Sequence, residues 1–553
     1  MSDEREELFA LADDAVSRIV DADPCTATEL GIIAEDGRLT DFSPSGVEHR
    51  GSLVDQIIAE LPEEPSGMQR EARITAEIMS ERLGNLQALA AAGDHFNDVN
   101  VLASPPQAIR MSLELLPPDV APVTLVGRLS DVDASLAGWR ESLQRGIDDG
   151  IPAARRQALA VATQLRELAS GWAPQFAETR GQDLSENDAA AVREAAEAAA
   201  DAYVETAEWL AEHYAPLARE QDGVGRDAYA RKAQAWNGDT IDLDATYAWG
   251  WQELESLTED ITATAAALGL ADTPLDTKAA LDADPRYRID GEDALREYLT
   301  ELTVGATADL NHSMFEIPSE VEQCDVRIAA AGAAAAPYYV PPSEDLSRPG
   351  STWYPTLGKE SFPKWWLTTV WYHEGVPGHH LQFGLIATMK DQLSRFQRTF
   401  GATSGHVEGW ALYAERLMLE LGYFDDPGLR FGYLSAQLMR AVRVIVDIGM
   451  HTDQVVPDGY PEAGAPITPA LAERMLIEQA MLEPDFAASE VNRYLGLPGQ
   501  AISYKVGERD WLALREAARI RKGGDFDLRD WHMQTLELGP MGLGPFRELA
   551  NSL

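Results

Sequence analysis

Along the first 220 residues or so, apolar positions return every three or four places, the period of helices that each bury one face. Leu8, Leu11, Val16, Ile19 and Val20 mark one such face, and Ile74, Ile78, Leu83, Leu86 and Leu89 mark a longer one. The same rhythm predicts helices from about Val123 to Arg145, from Arg155 to Ala177 and from Asp188 to Leu217. Ser185-Glu186-Asn187-Asp188, an approximate capping box, opens the last of these. The stretch Ala195 to Ala202 is low in complexity but strongly helix-forming, so it reads as helix and not linker. Pro105, Pro106, Pro117 and Pro118 interrupt the pattern and predict a loop. Beyond it, helix is predicted from Asp239 to about Leu268 and again from Glu292 to about Leu310. The polar, turn-rich stretch Asp272 to Gly291 separates the two.

The texture then changes. Val326-Arg327-Ile328-Ala329, Tyr338-Tyr339-Val340 and Thr352-Trp353-Tyr354 are short, β-branched or aromatic, and separated by Gly and Pro. They predict a small antiparallel sheet just ahead of the aromatic run Trp365 to Trp371. An edge strand there could accept an extended peptide, with Tyr339 as a substrate contact; a purely structural hairpin fits the sequence equally well. The fold expected is mainly α, large and elongated or saddle-like, with this sheet beside the active-site cleft. A helical N-terminal half (1–300) and a catalytic half (301–553) are expected to form one continuous body.

Candidate chemistry is concentrated after the sheet, in Tyr372-His373-Glu374-Gly375-Val376-Pro377-Gly378-His379-His380-Leu381-Gln382. A His-Glu pair followed one turn later by a second His is a zinc-hydrolase pattern, with the Glu as general base. Here the second His is late, and on an unbroken helix His380 would lie about 10 Å along the axis from His373. The Pro377 ring would clash with the His373 carbonyl, and Gly378 permits unusual torsions. A looped-out turn would then bring His379 to the place of the regular ligand. His379 is favoured over His380, although two neighbouring histidines also read as ordinary buried ones.

Glu408 and Glu415, seven apart in Gly405 to Glu415, share a face of an apolar helix and need a partner there. Glu408 is the candidate third ligand, and Glu415 the carboxylate that orients a ligand imidazole; pairing with Arg416, Arg440 or Arg443 is the simpler alternative. Arg440, Asp447 and His451 recur on an apolar helix and predict a buried polar network. Arg440 and Arg443 also suit a substrate carboxylate. In Pro498 to Gly507, Tyr504 is a candidate oxyanion donor, helped by His451, and Gln500 a polar substrate contact. Asp447 and His380 are expected to support the ligands from behind.

Composition narrows the partners. Lys and Arg number 45 against 91 Asp and Glu, a formal charge of −46, which argues against nucleic acid or an anionic membrane surface. The acidic start Met1 to Glu7 is not followed by a long apolar core, and no run of about 20 apolar residues could span a bilayer. Cys25 and Cys324 are far apart in sequence, so a cytoplasmic protein is expected.

The segments HEGVPGHHLQ, HVEGWALYAE, RAVRVIVDIGMHT and PGQAISYKVG together resemble a widespread bacterial family catalogued as a domain of unknown function with the signature HExxPGHHLQ. That family is similar to the zinc metallopeptidases of the gluzincin clan, especially the helical carboxypeptidase Taq type. The resemblance is clearest from about Asp325 to Gly539. Those peptidases place Gly before the second zinc His, as Gly378 precedes His379, and carry the third ligand in a segment similar to Val407 to Ala411. The two-residue insertion in the metal motif is the main departure. The resemblance implies Zn²⁺ held by His373, His379 and Glu408, and a peptidase of short peptides, acting from their C-terminus. Two alternatives stand beside it: a hydrolase of non-peptide amides or esters, and a helical scaffold whose zinc is closed by His380 or His406 as fourth ligand.

Overall fold

A computed structural model describes residues 2–33, 37–63, 65–329, 336–344 and 346–553. The chain divides into two compact units, Met1–Arg231 with Asn492–Leu497, and Lys232–Val491 with Pro498–Leu553. The boundary expected near residue 300 therefore falls inside the second unit. The reason is packing: helix α1 (Leu243–Leu268) lies along the late helix α6 (Pro427–Thr452).

The first unit is built from helices joined by loops, with one isolated bridge between Ala154 and Arg219 among its described residues. Leu125, Leu129, Val132, Leu136, Trp139 and Leu143, along one face of Pro122–Asp148, belong to its core. Ala195, Ala196, Ala199, Ala202 and Tyr203 of Glu186–Trp209 complete that core, so the alanine-rich stretch is a packing face. Ser185 caps this helix by accepting the Asp188 amide, as the sequence suggests. Pro105 and Pro106 do not make a loop; they open a helix, Pro105–Glu114. The first helical turn has no use for the amide hydrogens that proline lacks.

The second unit carries the candidate chemistry. Its polar stretch after α1 is more ordered than expected, with a helix Pro274–Ala283 capped by Thr273 and a strand β1 (Arg288–Asp290). Helix α2 (Glu292–Leu310) follows, then β2 (Cys324–Ala329), β3 (Tyr338–Val340), β4 (Gly350–Pro355) and β5 (Ser361–Pro363). β1 pairs antiparallel with β5, and the other strands form a sheet in the order β2-β4-β3. All three strands read from the sequence are present, but this sheet is mixed: β3 is antiparallel to β4 and β2 parallel to it. Alternation of residue types decides which face a strand buries, not which way its neighbour runs.

Five helices complete the frame used below: α3 (Lys364–Glu374), α4 (His379–Thr388), α5 (Ser404–Glu420), α6, and α7 (Ser503–Lys522). From Phe431 to His451 every residue of α6 is buried, so it is a core helix and not an amphipathic surface one. Helices α1 and α3 pack against it, and α5 packs on α7. Gly409 of α5 meets Gly507 of α7 so closely that neither position has room for a Cβ.

Candidate metal centre

The metal motif is two helices and not one bent helix. α3 stops at Glu374 and α4 starts at His379, with Gly375 to Gly378 between them. The Gly378 amide donates to the Tyr372 carbonyl at 3.1 Å, and the His380 amide to the Gly375 carbonyl at 3.1 Å. A Cβ on Gly378 would collide with the His373 carbonyl, so it is the glycine that comes up against this carbonyl, where the sequence pointed to the Pro377 ring. From α5, the Trp410 indole donates to the Pro377 and Gly378 carbonyls at 3.0 and 3.1 Å. The loop is thus tied from both sides, and His379 is delivered to His373 with ring centroids 4.8 Å apart.

Glu408 reaches both rings. Its Oε2 lies 3.2 Å from His373 Nε2 and 3.6 Å from His379 Nε2, and the three donor atoms all fall within 4.8 Å of one another. A tetrahedral site with bonds of about 2.0–2.1 Å has edges of about 3.3 Å, which the two Glu408 spacings approach. Seven residues on, Glu415 Oε1 accepts from the other nitrogen of the same imidazole, His373 Nδ1, at 2.9 Å. With the proton on Nδ1, Nε2 turns its lone pair toward the Glu408 carboxylate. Two acceptors then face one another, which requires a cation or a second proton between them.

Glu415 is itself held from three sides. Arg440 grips it with both guanidinium nitrogens, at 2.8 and 3.0 Å, and Thr369 Oγ1 donates at 2.6 Å. Burial favours the neutral acid, but Arg440 and His373 outweigh it and hold Glu415 below the usual carboxylate range. Burial also opposes ionisation of Glu408, where hydrogen bonds to the two histidines prevail and its carboxyl lies well below the ordinary value. Glu374 differs. Burial, joined by the charges of Glu408 and Glu415, pushes its carboxyl up to about 8, and no described residue is hydrogen bonded to it.

A family model of bacterial proteins of unknown function, DUF885, matches residues 24–549, nearly the full chain. The chain belongs to this family. Its fold is shared with a "putative lipoprotein" from Colwellia psychrerythraea, at TM-score 0.85 and 23% identity over 99% of both chains. A "putative lipoprotein of unknown function" from Shewanella oneidensis is similar too, at TM-score 0.75 and 19% identity, covering 98% of this chain and 99% of that one. No curated protein matches.

In this DUF885 member the remaining predicted residues fall into three groups. Tyr504 is at the site, its ring 6.2 Å from that of His373 and inclined by 19°. Tyr339 is there too, on β3, with its ring 6.5 Å from His379 and its hydroxyl 3.1 Å from His380 Nδ1. His380, the rival ligand, faces away and donates from Nε2 to the Val321 carbonyl at 2.8 Å. It supports the loop and has no nitrogen left for an ion. His406 is buried among Trp511 and Phe546, with Nδ1 3.4 Å from the Gln382 amide.

The second group is committed to other partners. Arg440 is bound to Glu415, and Arg443 to Glu490 at 2.7 Å, so neither fork is open to a substrate carboxylate as expected. Gln500 donates to Ser404 at 3.2 Å, at the start of α5. Asp447 and His451 form the third group. Asp447 accepts the Gly499 amide at 3.0 Å and lies 3.6 Å from His451, eleven residues beyond Arg440 on α6. By helical rise His451 lies about 16 Å along α6 from Arg440, and it faces Asp447 instead of serving as the expected oxyanion donor. Sequence reasoning missed Thr369, Trp410 and Glu490. Thr369 precedes His373 by one helical turn and Trp410 follows Glu408 by two places, so proximity to the motifs could have flagged them. Nothing local marks Glu490.

Proposed function

We propose that this chain is a zinc-dependent peptidase of short peptides, with Zn²⁺ held by His373, His379 and Glu408. Bound zinc supplies a Lewis acid that polarises a carbonyl and acidifies water. The observation that carries the reading is the convergence of the His373, His379 and Glu408 donor atoms, all within 4.8 Å of one another, with the buried Glu374 next to His373 in the chain. The charge of a cation held by the three ligands would favour the ionised form of Glu374, which takes a proton from the attacking water and returns it to the departing amine. Tyr504 donates its phenol hydrogen to the oxygen that gains charge. Glu415 keeps the His373 proton on Nδ1 and the ring in orientation, with Arg440 and Thr369 fixing Glu415 in turn.

Two further observations favour this reading over a closed structural zinc. Both ring nitrogens of His380 are engaged elsewhere and His406 is not grouped with the three donors, which leaves a fourth position for solvent or substrate. β3 is an edge strand with Tyr339 against His379, so an extended peptide has a backbone to pair with on the His379 side of the centre. The expected preference for a C-terminus loses the two guanidinium groups that were to read it. A cytoplasmic location stays part of the proposal, supported by two unpaired cysteines. The lipoprotein names belong to the two neighbours. No described helix is long and apolar enough to cross a membrane.

The test is Glu374→Gln on the zinc-loaded chain, assayed with a peptide library and with simple ester substrates. Zinc content should be unchanged and peptide turnover should fall by roughly 10²–10⁴-fold. Undiminished peptide cleavage in that variant sinks the mechanism, and ester cleavage without peptide cleavage sinks the substrate class.

A further inference from the structure

We propose that Arg443, backed by Glu490, is a positioning residue for Tyr504, holding its ring face to face with His373. The inference rests on the role given to Tyr504 above. Arg443 sits on the all-buried helix α6, with its guanidinium carbon 4.8 Å from the Tyr504 ring centroid. One of its nitrogens binds Glu490 at 2.7 Å, and both side chains are less than a tenth exposed. Tyr504 is half-buried at the first turn of α7, one place after Ser503, and its ring also lies against that of His373.

A phenol at the edge of solvent has more than one rotamer open to it, and what it packs against decides which is held. A planar guanidinium fixed from behind by a carboxylate is a flat, immobile surface for that ring. Its charge also favours the electron density that collects on the phenol oxygen as the hydrogen is donated. A stability role explains less. A buried Arg–Glu pair adds little over apolar residues of similar volume, whereas its contact with Tyr504 accounts for where this one sits.

The experiment uses the full zinc-loaded chain with Arg443→Met and Glu490→Leu made together, so that no unpaired charge is buried. The same pair of changes is made in a Tyr504→Phe background. Fluorine NMR of meta-fluorotyrosine at position 504 reports the ring position without any need for turnover. Its resonance should shift and broaden in the double variant, with zinc content unchanged. For the peptide reaction kcat should fall about tenfold with KM within about twofold, and the same changes should cost under about twofold once Tyr504 is Phe. An unchanged fluorine resonance overturns the proposal, and so does a tenfold loss that persists without the phenol. Should the double variant fail to fold, Arg443→Lys keeps the ion pair but lacks the flat surface. It should still shift the resonance, and an unshifted signal there is equally fatal. If the parent chain cleaves no peptide, the peptidase reading fails while the fluorine signal still decides the positioning role.

Discussion

The two histidines of the candidate centre are held in opposite ways. His373 sits near the end of an unbroken helix and is fixed by charge: its Nδ1 meets Glu415, which is gripped by Arg440 and Thr369. His379 starts a new helix and is fixed by backbone and rings: the Gly375–Gly378 loop, the Trp410 indole, Tyr339 and Phe383. Its Nδ1 is buried and has no hydrogen-bond partner among the described residues. One ligand is therefore defined by electrostatics and the other by steric placement. The difference follows from the insertion. Moving the second histidine off the first helix takes it away from Glu415, so that beyond its contact with Glu408 only packing is left to aim it.

Mutations that separate these two supports should have different signatures. The largest effect is expected from Arg440→Met, which leaves Glu415 buried without its guanidinium; denaturant unfolding should show a loss of about 3–5 kcal/mol, and a loss under about 1 kcal/mol would contradict the charge-held picture. Gly378→Ala comes next. Its Cβ meets the His373 carbonyl, so the loop must shift, and stability should fall by about 1–3 kcal/mol with a loss of zinc affinity. Normal zinc binding in Gly378→Ala would show that the loop does not aim His379. Glu415→Gln should lower zinc affinity by about 10–100-fold in chelator competition, and an unchanged affinity would detach Glu415 from the centre. Trp410→Phe removes a hydrogen bond donor from the loop and should cost about 0.5–1.5 kcal/mol. The smallest effect belongs to Tyr339→Phe, which loses only the contact to His380; stability should change by no more than about 1 kcal/mol, with zinc affinity unaltered.

Legibility followed the range of the interactions. Helical periodicity found most of the helices, and the alternating aromatic stretches found the three strands, because each is a local pattern. The pair Glu408 and Glu415 could be read as one face from their spacing, and the structure brings both to His373, one on each nitrogen. Arg440 and Arg443 were legible as buried charge on an apolar helix, but their partners were not. Glu490, which claims Arg443, lies 47 residues away with no motif around it. The break between His373 and His379 was visible as Pro377-Gly378, yet the reason a glycine is required there lies in the approach of the His373 carbonyl.

By itself, then, the sequence determined which segments become helix or strand, which faces are apolar, and which residue types are available to hold a divalent ion. Tertiary structure alone decided that α6 is buried on every side, so that each of its charges must find a partner, and which partner each takes. It also decided that His380 turns to the Val321 carbonyl while His379 turns to Glu408. The physical reason is the same throughout. Periodicity is written in neighbouring residues, whereas pairing a buried charge or aiming an imidazole depends on groups that only the folded chain brings within about 3 Å.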